Sequence, residues 1–158
     1  MQKIADAAAD FLACKRIAVT GVSRNPAGHG ANVVHQRLKE RGYEVFAVNP
    51  NATEIAGERC YPSIAAIPDG VDAVVVATRA ELAEAAVKEC VALGVRQVWL
   101  HRSFGPGSVS AAATQYGRAH GITVIDGGCP LMYPPASDPG HRVMRWVCGL
   151  SGARPKRV

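Results

Sequence analysis

The chain has 158 residues, 48% apolar and 20% charged, with a formal net charge of +5. That balance suits one globular domain with a sizeable core and excludes a disordered or disulfide-built chain. No apolar run approaches the length of a membrane span, and Asp6 and Asp10 interrupt the alanine-rich start, which makes a poor secretion signal.

Much of the positive charge lies late in the chain, at Arg142, Arg145, Arg154, Lys156 and Arg157. Aromatic residues do not interleave with it, so neither nucleic acid nor membrane is expected as a partner. The five cysteines, Cys14, Cys60, Cys90, Cys129 and Cys148, show neither a CxxC nor a metal-ligand spacing. Reduced thiols, a cytoplasmic location and no bound metal are the expectation.

Lys3 to Cys14 reads as a helix, with Ile4, Ala8, Phe11 and Leu12 at three- and four-residue spacing. Arg16 to Thr20 is an apolar strand that runs into Gly21 and a small polar loop, and Gly30 to Arg41 has helical spacing, with Val33, Val34 and Leu38 inward. Glu44 to Val48 forms the second strand, ended by Asn49-Pro50-Asn51. Glu54 to Pro62 has turn chemistry at Gly57, and Ser63 to Ile67 reads as a short helical turn. The third strand, Val71 to Ala77, is apolar throughout, which only a strand covered on both faces tolerates. Glu81 to Leu93 is helical, with Leu82, Ala86, Cys90 and Leu93 on one stripe. Strand Val95 to Leu100, helix Val109 to His120 and strand Ile122 to Ile125 follow. His141 to Leu150 suits a last helix, and the end from Ser151 reads as loose.

Alternating strands and helices predict an α/β domain: a Rossmann-like, doubly wound, mainly parallel five-stranded sheet in a three-layer αβα sandwich. In such a sheet ligands sit at the carboxyl ends of the strands. The strand–glycine–loop–helix order at Arg16 to Pro26 is that of a nucleotide-binding turn. There Gly21 permits a sharp turn and close phosphate approach, and the next helix offers its amino-terminal N–H groups. A dinucleotide is disfavoured. The turn is not G-x-G-x-x-G, since Gly28 and Gly30 come too late, and Asn49 stands where the ribose-binding acid of an NAD site would be.

The pieces IAVTGVSRNP, YEVFAVNPN, GERCYPSIAAIP, VDAVVVATR, VRQVWLHRS and GITVIDGGCP occur in order over Arg16 to Tyr133. In these the chain resembles the small stand-alone CoA-binding proteins, which share the CoA-binding domain of the succinyl-CoA synthetase α subunit. The resemblance implies one CoA-binding domain over residues 1–158, with its core at about 15–133. Coenzyme A or an acyl-CoA would be the ligand. Gly21, Val22, Ser23, Arg24, Asn25 and Pro26 would hold its phosphate-bearing part. Asn49, Pro50 and Asn51 would meet the adenosine end, and Ala77, Thr78 and Arg79 would line the crevice. Leu100, His101 and Arg102, with Cys129 and Pro130, would run along the pantetheine. The synthetase's phosphorylated histidine belongs to a second domain with no counterpart here.

The sequence leaves several roles open. Ser23 and Asn25 suit phosphate contacts or a local turn, and Arg24 a phosphate or solvent. Arg79 suits a phosphate or an ion pair, and Asp126 an orienting role on His101 or a cap. His101 reads as crevice lining rather than a catalyst. A buried Cys129 is favoured over a thiol exchanging with CoA. The stripe Val143, Trp146, Val147, Leu150 reads as packing rather than a dimer contact. The expected function is non-catalytic binding of CoA as carrier, sensor or regulatory module, with a homodimer or an unidentified protein partner left open. An NAD(P)-dependent oxidoreductase, or a CoA-linked ligase or transferase subunit working with a partner chain, is the alternative.

Overall fold

The computed structural model describes residues 1–158 apart from Pro26, Gly28, Phe104, Ala153, Arg154 and Lys156. Along the chain run α1 (Ile4–Leu12), β1 (Arg16–Thr20), α2 (Gly30–Glu40), β2 (Glu44–Val48), β3 (Glu54–Ile55), β4 (Glu58–Tyr61) and β5 (Ala73–Val76). After these come α3 (Ala80–Ala92), β6 (Gln97–Leu100), α4 (Ala111–Ala119), β7 (Thr123–Asp126), a 3₁₀ turn (Pro130–Met132) and α5 (Pro139–Leu150).

One sheet joins the strands in the order β3-β4-β2-β1-β5-β6-β7. All pairings are parallel except β3 with β4. The five expected strands are present, so the doubly wound architecture stands. The sheet has seven strands because Glu54–Tyr61 folds as a hairpin on its edge. Its two-residue turn, Ala56 (φ 52°) and Gly57 (φ 79°), has the left-handed geometry that matches strand twist. Alanine is a rare first residue for such a turn, so the sequence there carries only half of the usual signal.

Alternation along the strands builds two cores. Ile17, Val19, Ala73, Val75, Trp99 and Ile125 face α1, α2 and the 3₁₀ turn. Ala18, Val74, Val76, Val98, Leu100 and Val124 face α3 and α4. Strands β1, β5, β6 and β7 are therefore apolar on both sides, as a parallel sheet covered by helices requires. Trp99 anchors the first layer. Its ring meets Phe11 of α1 edge-on at 5.3 Å, and its Nε1 donates to the Gly127 carbonyl at 2.9 Å, so the one polar atom of a buried indole is satisfied.

Several details differ from the sequence reading. The short helical turn expected at Ser63 to Ile67 is a pair of successive turns, the Ala66 and Ile67 amides donating to the Ser63 and Ile64 carbonyls at 3.3 and 3.2 Å. Val33, Leu82 and Leu93 are exposed, while Ala83, Val87 and Cys90 carry the buried face of α3. The end of the chain is tied down: Arg157 bridges Lys3, and Gln2 and Val158 exchange backbone hydrogen bonds at 3.2 and 3.1 Å. Helix α5 starts at Pro139 because Asp138 caps it, accepting from the His141 amide at 2.8 Å. The stripe Val143, Trp146, Val147 and Leu150 points to solvent, and it is Cys148 that α5 buries. Among the described residues no helix is long and apolar enough to cross a membrane.

Candidate functional site

Strand β1 pairs with β2 on one side and β5 on the other, so successive connections leave it in opposite directions. This is the switch point where an open α/β sheet leaves a crevice beyond its carboxyl edge. A cavity of about 430 Å³ lies there. It is lined by Gly30 and Ala31 at the start of α2, by Ala77, Thr78 and Arg79 after β5, and by His101, Ser103, Gly107 and Ser108 after β6. A cavity of about 370 Å³ at the other end of the sheet is lined by Asp69, Asp72 and apolar neighbours. Asp72 is already committed there, accepting from the Lys15 and Arg16 amides at 3.1 and 2.9 Å.

The loop after β1 is held by protein partners. Gly21 has φ 79°, and its amide donates to the Val48 carbonyl at 3.2 Å. A Cβ on Gly21 would lie 2.5 Å from the Ala77 carbonyl oxygen. The left-handed φ agrees with the sharp turn expected of this glycine, and the crossing of two backbone segments adds a requirement the sequence did not show. Val22 is buried. Asn32 grips Ser23 from both sides, its Oδ1 accepting from the Ser23 amide and its Nδ2 donating to the Ser23 carbonyl, each at 2.8 Å. Ser23 Oγ accepts from the Asn25 amide at 3.1 Å, a local turn. Arg24 is exposed, and Pro26 lies outside the described residues.

Asn49 is likewise committed. Its Nδ2 donates to the Val22 carbonyl at 2.9 Å and its Oδ1 accepts from the Asn51 amide at 2.8 Å. It staples the β2 turn to the β1 loop, while Pro50 and Asn51 are exposed. Beside that junction a hollow of about 390 Å³ is lined by Val22, Asn32 and His35 and by Ile55 and Ala56 of the hairpin.

On the β5–β6 side, Thr78 Oγ1 is buried without a hydrogen-bond partner among the described residues. A buried hydroxyl left unpaired is costly, and this one belongs to a crevice-lining residue. The Thr78 carbonyl accepts from Ser108 Oγ, and the Ser108 amide donates to the His101 carbonyl at 2.8 Å, which fastens the loop after β6. Arg79 occupies the exposed position just before α3, where its side chain makes no capping hydrogen bond, and it makes no ion pair among the described residues.

His101 lies over the amino end of α2. A Cβ on Gly30 would come 3.1 Å from its Cε1. Its Nε2 is 3.4 Å from Ser103 Oγ. Burial, reinforced by the charge of His141, pushes the His101 pKa down to about 4, so the ring is neutral near pH 7. His141 itself pairs through Nδ1 with Asp138 at 2.8 Å, and Asp138 meets Arg41 at 3.6 Å. Burial would raise the Asp138 carboxyl, but the hydrogen bonds from His141 and the Arg41 charge outweigh it and hold it below its ordinary value.

Other expected site residues lie away from the cavity wall. Leu100, Cys129 and Pro130 are buried in the core. Burial pushes the Cys129 thiol up to about 12. Arg102 curls onto its own loop, with Nε donating to the Gly105 carbonyl at 2.9 Å. Asp126 does not orient His101; it meets Arg118 at 3.4 Å. The sequence reading placed the loop from His101 to Ser103 at the site, and missed Asn32, Gly30, Ala31, Gly107 and Ser108. For Asn32 a signal existed, an amide side chain in the first turn of a helix that follows a phosphate-type loop.

The crevice suits a ligand with anionic and hydrogen-bonding groups. It combines the first amides of a helix, a neutral imidazole and an unpaired hydroxyl, with two cationic side chains on the flanking loops.

Comparison with known proteins agrees with this architecture. The acetate–CoA ligase [ADP-forming] II of Archaeoglobus fulgidus is 38% identical over 89 residues, which cover 55% of this chain and 13% of the ligase. The chain thus spans only a small part of that relative. The uncharacterized protein YneT of Bacillus subtilis is 31% identical over 111 residues, covering 70% of this chain and 78% of YneT. A hypothetical protein from Pyrococcus horikoshii superimposes with a TM-score of 0.69 at 28% identity, over 78% of this chain and 87% of that one. A conserved hypothetical protein from Pyrococcus furiosus gives 0.61 at 33% identity, over 70% and 90%. The family model described as "CoA binding domain" matches residues 15–135, the whole sheet and every crevice-lining residue, and the chain belongs to that family.

Proposed function

We propose that the crevice binds coenzyme A or an acyl-CoA and that the chain acts on its own as a non-catalytic carrier, sensor or regulatory module. The observation that carries this reading is a crevice that opens onto the amino end of α2 and is lined by Thr78, whose buried hydroxyl has no partner among the described residues, in a chain of this family. The α2 amides and Arg24 would receive the phosphates. The hollow between Val22, His35 and Ile55 would give room for the adenosine end near Asn49–Asn51. Thr78, Arg79 and His101 would face the rest of the ligand.

The titratable groups around the site support binding over chemistry. His101, pushed down to about 4, is a weak general base near pH 7. Cys129 is sealed in the core with its thiol pushed up to about 12, far from a thiolate nucleophile.

A second reading is favoured by the match to an acetate–CoA ligase: the chain would supply the CoA site to an enzyme whose other parts lie on a partner chain. An NAD site is disfavoured, because an amide already committed to Val22 and Asn51 stands at the end of β2. Calorimetric titration of the reduced protein with CoA, acetyl-CoA, NAD, NADP and ATP tests the proposal. Saturable binding of CoA or acetyl-CoA alone supports it; binding of NAD or NADP in their place overturns it. CoA-dependent acyl transfer by the chain alone would contradict the non-catalytic part.

A further inference from the structure

Helix α5 lies outside the stretch that the family shares, residues 15–135. Its inner side is fastened to the domain. Cys148 is buried and its thiol donates to the Ser103 carbonyl at 3.6 Å, Met144 packs on the core, and the Asp138–His141–Arg41 cluster holds the first turn. Its outer side carries Val143, Trp146, Val147 and Leu150 at exposures of 64, 68, 41 and 72%. Spaced i, i+3, i+4 and i+7, these four form one continuous apolar stripe along the helix. Among the described residues beyond the helix, Arg157 and Val158 lie against Lys3 and Gln2.

We infer that this stripe is the contact face for a second copy of the chain, with the two α5 helices packed antiparallel about a two-fold axis. At these exposures the side chains present on the order of 500 Å² of apolar surface, in the upper part of what a monomeric surface carries. Two such faces together remove about 1,000 Å² from water, the size at which a specific interface begins. The stripe is its own complement when reversed. An axis passing between positions 146 and 147 sets Val143 against the partner's Leu150 and Trp146 against the partner's Val147, which is the isologous arrangement of a two-fold dimer.

The charges agree with that register. From Pro139 to Leu150 the helix has arginines at 142 and 145 and no carboxylate. Arg145 is turned inward, 5.5 Å over the Tyr133 ring. Arg142 comes level with Ser151 of the partner subunit, beside the carbonyls that end the partner helix, where a cation is favoured. The antiparallel pairing also sets opposite helix dipoles side by side.

Sedimentation velocity of the full chain across the micromolar range tests this, with Trp146→Glu and Leu150→Glu as variants. Both positions are exposed, so the folded monomer tolerates them, and circular dichroism checks that it does. The wild type should approach twice 16.6 kDa as concentration rises. Each variant should weaken association roughly thirtyfold or more, the effect of removing a central anchor. The emission of Trp146 should move to the blue in step with the dimer, since Trp99, the other tryptophan, is already buried. A wild type that stays at 16.6 kDa overturns the inference, as does a dimer that both variants leave intact. A monomer that sediments with phosphatidylglycerol vesicles also overturns it and assigns the face to lipid.

Discussion

Asn32 and Ser23 hold each other by two hydrogen bonds of 2.8 Å, so the loop after β1 is fixed to the first turn of α2 before any ligand arrives. A side-chain amide can donate and accept at once through two neighbouring atoms, as this pairing requires. Asn32→Ala should cost about 1–2 kcal/mol of stability by leaving two backbone groups unpaired. It should also weaken CoA binding, because the loop must then be ordered by the ligand. Urea denaturation and calorimetry on the same variant check both effects. Asn32→Asp keeps only the acceptor and should fall between.

Gly21 and Gly42 separate backbone strain from backbone collision. Both have positive φ, 79° and 87°. A Cβ on Gly42 meets nothing within 4 Å, whereas one on Gly21 strikes the Ala77 carbonyl at 2.5 Å. Gly42→Ala should therefore cost about 1 kcal/mol, the strain alone. Gly21→Ala should cost at least about 3 kcal/mol, because β1 and β5 must move apart at their carboxyl ends. Equal midpoints in urea for the two variants would refute this account of Gly21.

Acid should destabilise the fold through His101. Its pKa is about 4 in the folded chain against 6.5 ordinarily, so between those values the unfolded chain binds more protons. Stability then rises with pH across that window and is lost as pH falls from about 6.5 to 4, by about 3 kcal/mol in all. His35 is shifted downward too, by burial, and adds in the same direction. His101→Gln should remove most of the slope and leave the share of His35. Unfolding midpoints measured over this pH range decide the matter.

The thiols should be quiet. Cys90 and Cys129 are buried and pushed up to about 12 by that burial. Neither should react with Ellman's reagent until the protein unfolds, and Cys129→Ala should bind CoA as the wild type does. Prompt labelling of Cys129 in the native protein, or a mixed disulfide with CoA through it, would show that the 3₁₀ turn opens.

Much of this architecture is legible in the sequence, and for physical reasons. β1 and β2 have their expected bounds because β1 is a buried pleat and β2 one that becomes buried toward its carboxyl end, both ended by turn residues at Gly21 and Asn49. The run at Val71 to Ala77 marks a central strand because only burial on both faces tolerates it. The edge hairpin is not legible, since β3 has two residues and its turn begins with alanine. Periodicity finds the stripe of α5 but not its direction. The same spacing serves a core or a partner, and here the cap at Asp138 and the burial of Cys148 turn it outward. At the crevice, the loop after β1 is legible from its glycine and small polar residues. Gly107 and Ser108 belong to the far part of a loop without periodicity, and Asn32 acts through geometry that only the folded helix provides.

The central claim is that CoA enters at the carboxyl edge of the sheet, between the amino end of α2 and the loops after β5 and β6. Amide chemical-shift mapping during a CoA titration of the reduced protein addresses it most directly. The account predicts that the amides of Ser23, Gly30, Ala31, Thr78 and Ser103 move together and saturate, while those lining the opposite cavity, from Asp69 to Asp72, stay in place. Shifts confined to the opposite end of the sheet, or none at all in folded protein, would contradict it.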